Sequence, residues 1–217
     1  MSKFINHNHE SKPTMKEEGK MKKLLMCAMA AVLVAFCTAG AWAATSQTIN
    51  VSATVPTMTG GLSVTVSSVN GTGTPVFTPA TSISFGTLAW NATNHIFLPA
   101  NYFAVDIGVT DNSTTAWTIT HTRTSLAGNG SNLDSKVNVS FNKQTSSTAS
   151  TELQKVSYGN SQSVSYTKAQ LAGGWLRIYY GVGTGDPTKP DATGVTPIGL
   201  DTPAGTYNGT VTITLAP

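Results

Sequence analysis

The chain has 217 residues, of which only 11% are charged, and a formal net charge of +3. The length suits one domain able to bury its own core, and the charge density is far below the roughly 25% of an average soluble domain. The basic surplus sits at the front: Lys3, Lys12, Lys16, Lys20, Lys22 and Lys23 face only Glu10, Glu17 and Glu18 there. Beyond residue 43, Arg123, Lys136, Lys143, Lys155, Lys168, Arg177 and Lys189 are matched by Asp106, Asp111, Asp134, Glu152, Asp186, Asp191 and Asp201. Scattered and balanced charge of that kind makes no nucleic-acid patch.

In chain order, residues 1–20 read as an upstream-start extension, with the natural start at Met21. Met21-Lys22-Lys23, the apolar run 24–35 and Ala41-Trp42-Ala43 supply the positive, apolar and A-x-A regions of a secretory signal peptide. A membrane-spanning helix would need about 20 apolar residues. The expectation is a signal over 21–43, cleavage after Ala43, and a secreted or cell-surface protein. Cys27 and Cys37 leave with the signal, so the remainder carries no disulfide and no thiol chemistry.

From Ala44 onward the chain is rich in Ser and Thr, yet its apolar residues fall on alternate positions. Ile49, Val51, Ala53 and Val55 alternate with Asn50, Ser52 and Thr54; Leu62, Val64 and Val66 alternate with Ser63 and Thr65. The same period of two recurs at Phe103–Val109, Trp117–Ile119, Val137–Phe141, Leu176–Tyr180 and Val211–Leu215. Such alternation with Val, Ile and Thr predicts strands with one face buried and one wet. Turn clusters separate them, at Asn70–Pro75, Gly128–Asn132, Gln144–Ser150 and Gly181–Gly194 among others. Only Thr167–Leu171 hints at a helical turn. The expected fold is all-β, an immunoglobulin-like β-sandwich of short antiparallel strands in one domain over 57–217.

Residues able to carry chemistry are few. His121 continues the Trp117–Ile119 face and reads as a structural core histidine; His95 falls at a loop or strand start. Gly181-Val-Gly-Thr-Gly-Asp186 lacks the G-K-[ST] of a phosphate loop and runs into Pro187 instead of a helix. Asp186 and Asp191 on that loop are oxygen donors of the kind that hold Ca²⁺, the plainer reading being a solvated loop. Trp175, Arg177 and Tyr179 share the strand face opposite Leu176, Ile178 and Tyr180, either as a second packed side or as a ligand-contact surface. No nucleophile elbow occurs and no metal or cofactor is expected, so the chain does not read as an enzyme.

Three stretches resemble the spore coat U and Csu-type fimbrial subunits, secreted bacterial β-sandwiches. They are Thr48–Val55 with Thr59–Val64, Ile83-Ser-Phe-Gly-Thr-Leu88, and Thr202-Pro-Ala-Gly-Thr-Tyr-Asn-Gly-Thr-Val-Thr-Ile-Thr-Leu215. Gly61 stands where that family has a disulfide cysteine, and the chain closes on Leu215-Ala216-Pro217 without the family's penultimate aromatic. The resemblance implies a structural subunit of a fimbria, pilus or coat that polymerises with copies of itself or related surface subunits. It also implies a periplasmic chaperone and an outer-membrane assembly protein as partners. In that scheme residues 44–56 are a donor strand whose Ile49, Val51, Ala53 and Val55 fill the groove of the next subunit; the alternative is that 48–55 is the domain's own edge strand. A carbohydrate-binding or adhesin-type module, using the Trp175/Tyr179 face and the 181–194 loop, is the competing function.

Overall fold

The structure, a computed structural model, describes residues 48–54 (as backbone), 61–110 and 116–217. The chain divides into 1–45 and 46–217, and every described residue belongs to the second unit. The extension over 1–20, the signal over 21–43 and Val55 of the donor segment lie outside the described residues.

Two sheets and one small hairpin account for the described strands. The first sheet contains β1 (Thr48–Thr54), β4 (Ile83–Thr87), β8 (Thr118–Arg123), β9 (Ala127–Gly128), β10 (Ser131–Asn132), β13 (Ser163–Thr167) and β15 (Thr206–Ala216). The second runs β12 (Ser150–Ser157), β11 (Val137–Gln144), β14 (Trp175–Val182), β7 (Asn101–Val109), β2 (Leu62–Asn70) and β3 (Phe77–Ala80). A hairpin of β5 (Ala89–Asn91) and β6 (Ile96–Leu98) stands beside them. No α-helix occurs among the described residues. The Thr167–Leu171 segment closes one backbone hydrogen bond of helical span, Leu171 N to Thr167 O at 3.2 Å, and goes no further.

The period of two explains why these residues form these strands. Along β15, Tyr207, Gly209, Val211, Ile213 and Leu215 are buried while the residues between them are not. Along β14, Leu176, Ile178, Tyr180 and Val182 turn inward. The inner faces of the two sheets meet in one core, with Phe85 of β4 edge-on to Phe103 of β7 and Phe141 of β11 against Tyr166 of β13. That is the all-β sandwich expected from the alternation.

The sheets differ in pairing. Every ladder of the second sheet is antiparallel. In the first, β1 lies between two strands of its own chain, parallel to β15 from Thr48↔Thr206 to Thr54↔Thr212 and antiparallel to β4. It is an interior strand of the sheet, not an edge. Its ladder with β4 is interrupted: Ile49 pairs with Gly86 and Asn50 with Ser84, so Phe85 is the extra residue of a bulge. Gly86 has φ +63°, the left-handed backbone that such a bulge asks of glycine.

Candidate functional site

Four places bring side chains or backbone into an arrangement with chemical content. The first is the slot occupied by β1. Ile49, Val51 and Ala53 are registered against Tyr207, Gly209 and Val211, the buried positions of β15. Gly209 is crowded on its side-chain side: a Cβ there would sit 3.0 Å from Tyr158 Oη and 3.1 Å from the Ser125 carbonyl. Tyr158 is wedged at this point by donating its hydroxyl to Thr124 O at 2.9 Å. Arg123 lies over its ring and pairs with Asp134 at 3.0 Å.

The second place is the outer face of the six-stranded sheet. Trp175, Arg177 and Tyr179 do share one face, as alternation requires. Strand register sets Arg177 directly across from Asp106 of β7, and the two form a bidentate pair at 2.6 and 2.7 Å. Phe77 covers the guanidinium at 4.5 Å, and Tyr179 lies 5.9 Å from Tyr102 with rings tilted by 54°. The Asp106 hydrogen bonds hold Arg177 firmly protonated, above its ordinary range. Beside them Asn142 donates to Ser140 and Ser140 to Glu152, both at 2.9 Å. This face is organised around its own ion pair, with the Tyr102 and Tyr179 rings tilted and Trp175 and Tyr179 half-buried.

The third place is the core histidine. His121 is 1% exposed and its Nε2 lies 2.8 Å from Tyr180 Oη, joining the two sheets across the core. Phe141 meets the imidazole edge-on at 5.3 Å. Burial pushes its pKa down to about 4, outweighing a weaker opposing pull from the Ser161 backbone. It is a neutral structural group, as its position on an apolar face predicts.

The fourth is the long segment Gly183–Gly205 between β14 and β15, with the β5–β6 hairpin against it. Asp191 accepts Thr184 N at 3.0 Å, Gly185 N at 2.8 Å and Asn138 Nδ2 at 2.7 Å. Asp186 accepts Thr188 N and Oγ1 at 2.8 and 2.7 Å, and those bonds hold its carboxyl below the usual carboxylate range. The two calcium candidates are therefore engaged in shaping their own loop. Among the described residues no three His, Cys, Asp or Glu side chains come together. Between hairpin and loop lies an open cleft of about 580 Å³ lined by Asn94, Ile96, Leu98, Thr184, Asp186, Pro187 and Pro197. Nothing in the sequence joined 94–98 to 184–197. The local signals were Asn91, which caps the hairpin turn by accepting Thr93 N and Asn94 N, and His95, whose φ of +55° closes it.

No family model, no curated protein and no solved structure matches the chain.

Proposed function

We propose that this chain is an exported, non-enzymatic structural subunit of a bacterial surface fibre or coat, which polymerises head-to-tail by exchanging the strand at residues 44–56. The observation that carries the reading is the position of β1, filling a slot between β15 and β4. Withdrawing it would leave two rows of backbone donors and acceptors facing an empty lane, and an extended segment of equivalent sequence from a second copy restores both ladders. When each subunit gives its strand to one neighbour and receives one from another, the contact is heterologous and grows into a fibre. The immunoglobulin-like ordering of the sandwich belongs to the same reading, supported by a first described strand that runs parallel to the last.

Three of the remaining edges, β3, β12 and β4, carry features that oppose edge-to-edge addition. β3 carries Pro79, which cannot donate to a ladder. β12 has Leu153 as an extra residue opposite Phe141 and Asn142, and presents Glu152 and Lys155. β4 has its own bulge. Bulges, proline and charge are how edges resist adding a neighbour.

Deleting 44–56 tests the reading. The variant is expected to give no filaments by electron microscopy, and a synthetic peptide of residues 44–56 is expected to bind it and raise its thermal midpoint. Filaments of undiminished length from the deletion variant would overturn the proposal.

A further inference from the structure

The 183–205 segment is long for a connection without regular strand or helix, and such segments in compact domains are either mobile linkers or functional loops. This one is fastened along its length. Beyond the three bonds to Asp191, Ala192 N donates to Asn138 Oδ1 at 2.7 Å and Thr196 N to Ser135 O at 2.9 Å. Lys136 Nζ reaches Thr196 Oγ1 at 2.9 Å and Pro197 O at 3.0 Å, and Lys155 Nζ reaches Pro190 O at 3.0 Å. Phe97 N donates to Ile198 O at 2.8 Å, tying the loop to β6 of the hairpin. The cleft between them is thus formed before any ligand arrives, which removes an ordering cost from binding.

We propose that this cleft binds a neutral saccharide unit. Its volume of about 580 Å³ is that of a ligand site. Ile96, Leu98, Pro187 and Pro197 offer an aliphatic wall, and Asn94, Thr184 and Asp186 supply an amide, a hydroxyl and a carboxylate. A pyranose ring has the matching chemistry: patches of C–H for the wall, and hydroxyls that both donate and accept. Asp186 is suited to receive them, because Thr188 fixes the orientation of its carboxylate through Oδ1. The one charged side chain of the lining is the Asp186 carboxylate, which disfavours an anionic ligand. A cationic amine fits less well. A single half-exposed carboxylate attracts it weakly in water, and the lining has no aromatic face to hold it. The site stands on the loop and hairpin alone, independently of strand exchange.

The test uses the full chain against a panel of neutral disaccharides, with putrescine as the amine probe, read by titration calorimetry and by fluorescence. Trp90 is a built-in reporter, since it packs on Phe97 at 4.9 Å and near His95 at 6.0 Å in the same hairpin. At least one disaccharide is expected to bind, with Asp186→Asn, Asn94→Ala and Thr184→Ala each weakening it about tenfold, and Trp175→Ala leaving it unchanged. All three cleft residues have solvent-accessible side chains, so the losses are expected to come with only small shifts in thermal midpoint, the part that Asp186 and Thr184 contribute to the loop. No binding across the panel, binding indifferent to the cleft variants, loss on Trp175→Ala instead, or tighter binding of putrescine would each overturn the assignment.

Discussion

The two sheets of this sandwich are built by different rules. The six-stranded sheet is antiparallel from edge to edge, and its outer face carries its own support in the Arg177–Asp106 pair, Phe77 and the Ser140–Asn142–Glu152 chain of hydrogen bonds. The other sheet relies on a parallel strand, β1, interposed between β15 and a bulged β4. Parallel pairs are slightly less stable per residue than antiparallel ones, and a bulge leaves a ladder position unpaired. One sheet is an antiparallel scaffold with a single bulge at its β12 edge; the other is completed by a strand that sits beside a weak ladder. A protein that exchanges a strand needs both, because the scaffold must survive while the slot empties.

The contact between the sheets offers the strongest way to break that comparison. His121 is neutral when folded, with a pKa near 4 against 6.5 in an exposed chain. The unfolded chain therefore binds the extra proton between those values. Stability from this residue is complete above about pH 6.5, falls progressively as the pH drops toward 4, and levels off below, a loss of about 3 kcal/mol. Urea midpoints at pH 7 and pH 4.5 measure it, and in His121→Gln that part of the pH slope is expected to vanish. An unchanged slope in the variant would show that the histidine is not the acid-sensitive joint.

A smaller and more local effect is expected at Gly209. In Gly209→Ala the new Cβ meets Tyr158 Oη, Ser125 O and Leu126 Cδ2 at 3.0 to 3.2 Å. Overpacking of that kind costs about 1–3 kcal/mol. Because Gly209 is the register partner of Val51, the loss is expected to appear as faster amide hydrogen exchange in β1 and β15, with the six-stranded sheet still protected. Uniform acceleration in both sheets would erase the distinction between scaffold and slot. The smallest effect belongs to the outer face. Arg177→Lys removes the bidentate fork but keeps the charge, on a pair that is partly solvated, and is expected to cost roughly 1 kcal/mol without changing exchange in β1. Chemical denaturation with an unaltered slope is the check.

Much of this was legible in the residues, for a physical reason. Strands β7, β11, β14 and β15 set apolar residues on alternate positions toward the core, so their alternation is written in the chain. β12 is an edge strand exposed along most of its length, and Ser-Thr-Glu-Leu-Gln-Lys carries no alternation to find. β3 was hidden by Pro79, which only an edge can tolerate. At the sites, the shared face of Trp175, Arg177 and Tyr179 follows from periodicity alone. The Asp106 partner does not, since it depends on the register between β14 and β7 across 71 residues of sequence. The cleft is subject to the same limit: its two walls come from distant turns that only the folded sandwich brings together.

The parallel pairing of β1 and β15 also gives the sandwich two unlike poles. Thr48 enters beside Thr206 and both strands then run the same way, with β15 continuing past the last partner of β1 to Ala216. At about 3.3 Å per residue, the 11 residues of β15 set its far end roughly 35 Å from where β1 begins. A fluorescent tag placed after Pro217 therefore sits at the pole away from the strand's point of entry. Mixing tagged and untagged copies thus tests the proposed strand exchange without a label at the joint itself.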